Sequence, residues 1–316
     1  MSSAPATTPA SASLTVAPHH NDTHALLGAG LALAAFALNS TVDVILKLVA
    51  AGHPFYQVIA VNGSFAMLPV LLGVAFTGGP QKLRTAQLGR HLFRGCFGSA
   101  AAFLAVFAYA HIPLTDFYAI IFAGPIIATT LSALWLKEPI DWTRWLAIAL
   151  GFGGILIITN PFGDRIAATD HGWLLIGRLA ALGSVSCYAI AMLMVRRMRH
   201  SESNLAFSFY GYCVTVGLAW LALLAFDGPP MQRTELFTLM LSGTMGGIAS
   251  ICMMTAFQKA PVALVAPFQY TQILWGALYG WLIWHHLPDW RLAIGAAIVM
   301  ASGLYVLFRE LRMARG

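Results

Sequence analysis

The sequence predicts an all-α integral membrane protein of ten transmembrane helices, arranged as two inverted five-helix repeats. Three observations carry this expectation. Hydrophobic residues make up 59% of the 316 and charged ones only 9%, with a mean hydropathy of +0.74, far outside the range of soluble domains. The apolar residues fall into runs close to the roughly 20 that a helix needs to cross a bilayer core. The second half of the chain also repeats, weakly, the pattern of the first. Backbone in lipid must bond internally, so runs of this length read as helices rather than as alternating barrel strands.

Met1 to Asp22 is rich in Ala, Ser, Thr and Pro, holds no Lys or Arg and lacks the basic start of a signal peptide. It reads as a disordered tail over 1–23. Ten spans follow: Leu26–Leu48, Phe55–Phe76, Leu92–Ile112, Asp116–Leu136, Trp142–Ile158, Gly172–Val195, Leu205–Phe226, Leu236–Phe257, Val262–Trp284 and Trp290–Phe308. The third and fourth are joined by the short His111 to Thr115, where Pro113 supplies the break. Residues 24–160 then form the first repeat, 161–171 a connecting loop, 172–308 the second repeat and 309–316 a short tail. Sliding the chain by 148 residues superposes Ala108 on Ala256, Pro113 on Pro261, Leu134 on Leu282, Asp141 on Asp289, Trp142 on Trp290 and Ala149 on Ala297. Five spans per repeat is an odd number, so the second copy runs through the membrane the other way, an arrangement typical of transporters.

Charge sets the orientation. With the N-terminus inside, the cytoplasmic segments hold thirteen Lys and Arg against four outside, which puts both termini in the cytoplasm of a bacterial inner-membrane protein. The net charge of +6 therefore serves topology, and no nucleic-acid partner is expected. Cys96, Cys187, Cys213 and Cys252 lie inside apolar runs without CxxC spacing and read as packing residues. The ten histidines sit in the tail or at span ends, which disfavours a metal site or a histidine proton relay. Lys137, Glu138 and Asp141 read as helix caps. Gly95 and Gly98, Gly151, Gly153 and Gly154, and Gly243, Gly246 and Gly247 give small faces for close helix contact.

Asp43 is the one carboxylate well inside a span, roughly 9 Å from the centre of its helix. An acid there costs about 2.5–3.5 kcal/mol, so it needs a partner or a wet cavity. Lys47 stands one turn away, at the spacing of an ion pair. Arg178, the other isolated charge, is placed either to snorkel to the interface or to capture an anionic group. Asp43, Lys47 and Arg178 are thus candidates for proton coupling or ion pairing. Neutral polar and aromatic residues recur at mid-span: Asn39, Asn62, Tyr118, Phe122, Tyr188, Tyr210, Gln269, Tyr270, Gln272 and Trp275. Each alone is explained by an interhelical contact. As a set they offer amides and stacking faces suited to a zwitterionic or aromatic metabolite. Pro125 and Pro267 interrupt the fourth and ninth spans and free carbonyls there.

The run Ala108-Tyr109-Ala110 closing the third span, Pro125 within the fourth, Leu136-Lys137-Glu138-Pro139 at its end and the glycine-rich Gly151-Phe152-Gly153-Gly154 of the fifth resemble the EamA family of the drug/metabolite transporter superfamily. The resemblance covers His24 to Arg309. It implies a central cavity lined by helices one to four and six to nine, with helices five and ten peripheral. Two positions depart from it: Asn62 stands where many relatives carry Arg, and His286 where the second repeat would carry Glu. The expected function is a secondary transporter of a small organic metabolite, amino-acid-like or aromatic and exported, working without cofactor as a monomer or homodimer among membrane lipids. Uptake of a metabolite such as riboflavin or S-adenosylmethionine is the alternative. No nucleotide-binding loop is present, and neither HExxH nor a Ser/His/Asp constellation supports an integral-membrane enzyme. A scaffold or sensor would call for a soluble domain.

Overall fold

The computed structural model describes residues 20–77, 79–124, 127, 130–131, 142–159, 169–198, 202–259, 266–285 and 290–313. Among them are ten α-helices and no strand: α1 (His20–Ala50), α2 (Phe55–Thr77), α3 (Leu88–His111), α4 (Leu114–Ile121), α5 (Trp142–Thr159), α6 (Thr169–Met198), α7 (Asn204–Phe226), α8 (Arg233–Lys259), α9 (Thr271–Trp284) and α10 (Trp290–Met313). Short 3-10 turns precede α3 (Pro80–Leu83) and α9 (Ala266–Tyr270). Six stretches, Leu26–Ala50, Phe55–Thr77, Leu88–His111, Gly172–Val195, Leu205–Phe226 and Arg233–Met253, are long and apolar enough to cross a membrane. Large side chains such as Phe76, Leu224 and Phe226 remain exposed, as a lipid-facing surface requires.

The fourth and ninth spans are the irregular ones. Helix α4 ends at Ile121, and Phe122 and Ala123 form a turn. Pro125 stands four residues after Ile121, whose carbonyl its ring would crowd in a continuing helix. Nine of the 21 residues of the expected span Asp116–Leu136, Pro125 included, and the charged Lys137 to Asp141 lie outside the described residues. Pro267 falls in the 3-10 turn that opens α9.

The larger helix contacts follow the repeat. Exchanging the two halves maps α1 on α8 onto α6 on α3, α2 on α8 onto α7 on α3, and α1 on α9 onto α6 on α4, and each of these contacts is present. Of the five pairs that map onto themselves, α2 with α7, α4 with α9 and α5 with α10 are in contact as well. Helices α5 and α10 pack mainly on each other, the peripheral place that the resemblance implied.

Glycine explains how closely the central helices approach. Gly95 faces Val214 of α7, and Gly243, 148 residues later, faces Asn62 and Phe65 of α2. A Cβ on Gly247 would sit 2.5 Å from the Ala66 carbonyl oxygen and 2.8 Å from Pro69 Cγ, whereas one on Gly98 would meet nothing within 4 Å. Gly247→Val is therefore expected to cost about 1–3 kcal/mol by overpacking, and Gly98→Ala no more than about 0.5 kcal/mol. Thermal unfolding in detergent checks the contrast.

Each end of the bundle is tied across the repeats. At one end His53 Nε2 of the α1–α2 loop lies 3.1 Å from Glu235 Oε2 of α8, and Gln57 and Tyr56 donate to the carbonyls of Pro229 and Asp227. At the other, Glu202 Oε2 before α7 lies 3.3 Å from His91 Nε2 of α3, and Ser203 and Tyr210 donate to the carbonyls of Lys82 and Leu83. The two ends use equivalent elements with histidine and glutamate exchanged.

Candidate functional site

Two residues, Ile112 and Pro113, separate α3 from α4. Pro113, with φ −58° and ψ 147°, turns the chain back so that Tyr109 near the end of α3 and Tyr118 near the start of α4 converge on α1. Tyr109 donates its hydroxyl to Asp43 Oδ1 at 2.8 Å and Tyr118 donates to Oδ2 at 2.9 Å. Tyr109 is 5% exposed and Tyr118 fully buried, its ring against Gly276 of α9, where no larger residue would fit. Asp43 is half-buried. An ionised carboxylate is an acceptor only, and two phenol donors hold one oxygen each.

The ion pair expected between Asp43 and Lys47 does not form. The Lys47 ammonium donates instead to the carbonyls of Tyr109 at 2.5 Å and Ile112 at 2.7 Å, and lies 5.5 Å from the Trp284 ring centre. The last carbonyls of a helix have no partner within it, and a cation there also suits the helix dipole. Lys47 thus closes the end of α3 and leaves Asp43 to the tyrosines.

Arg178 does not snorkel. Its Nη2 lies 2.8 Å and its Nε 3.2 Å from Asp116 Oδ2, and both side chains are largely buried, at 17% and 12% exposure. Asp116, placed by the sequence at a span edge, is therefore a second carboxylate inside the bundle. It sits in the first turn of α4, where the helix dipole favours a negative charge.

A cavity of about 560 Å³ opens beside these groups, lined by Lys47, His111, Thr115, Asp116, Arg178, Gly276, Gly280, Trp284 and His285 among others. His111 stacks between Phe107 and Trp173, with ring centres 4.3 and 5.1 Å apart. Two residues further along α4 than Asp116, about 3 Å of rise, comes Tyr118, and Phe122 follows four residues later in the turn after α4. The Phe122 ring meets Tyr270 edge to face at 4.8 Å, and these two residues are 148 apart, so the same position of both repeats meets at the centre of the bundle.

The remaining expected site residues divide. Gln272, 8% exposed, and Trp275, stacked on Tyr279 at 6.4 Å, join Tyr118, Phe122 and Tyr270 along the α4–α9 seam, and Gln269 lies in the turn leading to it. The Tyr279 hydroxyl reaches Thr41 of α1 at 2.8 Å. Asn39 is half-buried on α1. Away from the seam, Asn62 donates to Ser242 of α8 at 2.6 Å, and Tyr210 anchors the Pro80–Leu83 turn and lies tilted against the His91 ring at 4.8 Å. Tyr188 is 55% exposed on α6, within electrostatic reach of Arg94. Tyr109 was not among the expected site residues. The signal was its place in Ala108-Tyr109-Ala110, two residues from the α3–α4 turn. Among the described residues no cluster of three His, Cys, Asp or Glu side chains could hold a metal ion.

A model of the EamA-like transporter family matches residues 26–160 and again 175–308. The chain belongs to the EamA-like transporter family. A riboflavin transporter of Vibrio cholerae is 29% identical over 291 residues, covering 92% of this chain and 94% of that one. An S-adenosylmethionine uptake transporter of Rickettsia bellii is 23% identical over 284 residues, covering 90% and 94%. A riboflavin transporter of Rhizobium johnstonii is 27% identical, covering 74% of each chain. One crystal structure matches with a TM-score of 0.61 at 17% identity, over 94% of this chain and 100% of that one, a likeness of fold. An EamA-like transporter moves small molecules across a membrane, and here two copies of the family unit provide the halves.

Proposed function

We propose that this chain is a secondary transporter that takes up a small metabolite carrying a planar aromatic ring system, by alternating access between its two repeats, with Asp43 as the proton-coupling group. The observation that carries the reading is the α4–α9 seam. There both interrupted helices meet, Phe122 and Tyr270 touch ring to ring, and Gln272 and Trp275 follow on α9. Stacking faces with a few neutral hydrogen-bonding groups suit a heterocycle such as that of riboflavin or S-adenosylmethionine. The relatives support uptake over the export expected first from the sequence, since they are named for riboflavin transport and S-adenosylmethionine uptake. Both termini face the cytoplasm of a bacterial inner membrane in this reading, which puts the 560 Å³ cavity on the outer side.

The test is uptake of labelled riboflavin, S-adenosylmethionine and an aromatic amino acid by cells that lack their own carriers. The expected result is accumulation of one of the two heterocycles, with Gln269→Ala shifting the preference between them by about tenfold, the scale of a single hydrogen bond. No accumulation of either heterocycle in cells that place the protein in the membrane would overturn the substrate class.

A further inference from the structure

We propose that Asp43 with Tyr109 and Tyr118 forms the outer gate, a clamp that holds the empty carrier shut while the carboxylate is ionised and is weakened when a proton from the outer side binds it, closure of the protonated carrier then being left to bound substrate. This rests on the alternating-access reading above and adds where the path closes and what opens it.

The geometry is three successive layers along α4 and the turn after it, about 3 and 6 Å apart in rise. The outermost holds the cavity with Lys47, Asp116 and Arg178, the next Asp43, Tyr109 and Tyr118, and the third Phe122 and Tyr270. Tyr118 of the middle layer is fully buried against Gly276, which lines the cavity, and so stands between the cavity and Phe122. That layer ties three helices: α1 supplies the acceptor, and α3 and α4 supply one donor each. With the carboxylate ionised both bonds are charge-assisted, about twice as strong as neutral ones. A proton on one oxygen converts that oxygen to a donor. The phenol bonded to it must then turn or let go, and the other bond becomes a neutral one. The hold of α1 on its neighbours falls without loss of any packing contact.

Other charges leave this response to Asp43. On α1, Lys47 is committed to the α3 carbonyls, and its electrostatic partner is Asp116. From α4 and α6, Asp116 and Arg178 hold each other. On α3, His111 is bound to the Phe107 carbonyl oxygen. From α9, Tyr279 engages Thr41 and His285 lies at the cavity. Helix α8 presents Gly246 to Val42 of α1, and its Glu235 and Lys259 stand in its first and last turns.

The experiment uses the full chain in right-side-out vesicles with Cys96, Cys187, Cys213 and Cys252 replaced by alanine and Gln269→Cys as reporter, inward of the clamp. A membrane-impermeant maleimide is added from outside, and its rate is normalised to a surface reporter, Gln232→Cys, to remove the reagent's own pH dependence. Lowering the external pH by about two units is expected to raise the normalised rate about tenfold or more, following protonation of one group. Asp43→Asn is expected to label fast at both pH values, and Tyr109→Phe, with one arm gone, to label faster than the parent at the higher pH. A parent rate that ignores pH, or an Asp43→Asn chain that keeps the parent's response, would overturn the gate. The readout needs no substrate. A chain that gates with pH but accumulates neither heterocycle therefore overturns the substrate reading alone.

Discussion

Asp43→Asn vesicles given an inward pH difference should take up substrate only until the two sides are equal. The parent should concentrate it. One coupled proton and a pH difference of about one unit supply roughly 1.4 kcal/mol, enough for about a tenfold accumulation ratio. Asparagine keeps the size of the side chain and one acceptor for the tyrosine layer, but it carries no proton through the cycle. Exchange of labelled for unlabelled substrate should persist in the variant, which separates lost coupling from lost folding. Accumulation at the parent level in Asp43→Asn would move the coupling group elsewhere.

Arg178→Leu is expected to be the most destabilising single change in this part of the bundle. It removes the guanidinium paired with the buried Asp116, and breaking a buried pair from one side costs about 3–5 kcal/mol. Replacing both members, with Asp116→Leu added to Arg178→Leu, should recover most of that loss, because two apolar side chains need no compensation. Unfolding of the purified protein in detergent, for both single variants and the double, reads the coupling directly. A loss in the double variant equal to the sum of the two single losses would mean that the pair contributes nothing as a pair.

Elements were legible from the sequence wherever the signal is local. An apolar run of about 20 residues leaves the backbone no choice but helix, and prolines mark where the fourth and ninth spans change. The repeat was visible because a Pro and an Asp-Trp step recur at one offset, and the glycines Gly95 and Gly243 that set the α3–α7 and α2–α8 contacts obey the same offset. Partnerships were harder, since they join distant positions. Tyr109 and Tyr118 lie 66 and 75 residues from Asp43, and Arg178 lies 62 from Asp116. The one local candidate, Lys47, pointed the wrong way: a free helix end nearby was a better acceptor than an acid already held by two hydroxyls. Asn62 and Tyr210 show the same limit, because position within a run says how deep a side chain lies and nothing about which neighbour it meets.

The carboxylate layer has no twin. The shift that superposes the two repeats lays Asp43 on Ala191, Tyr109 on Phe257 and Tyr118 on Ala266, so the chemistry sits in one half of a structure whose backbone contacts are shared by both. With Asp43 as the coupling group, as proposed, the carrier loads one proton outside per turnover and releases it inside. For an uncharged cargo each cycle then moves one net positive charge inward, so uptake should generate an electrical current, with one elementary charge crossing for every molecule delivered.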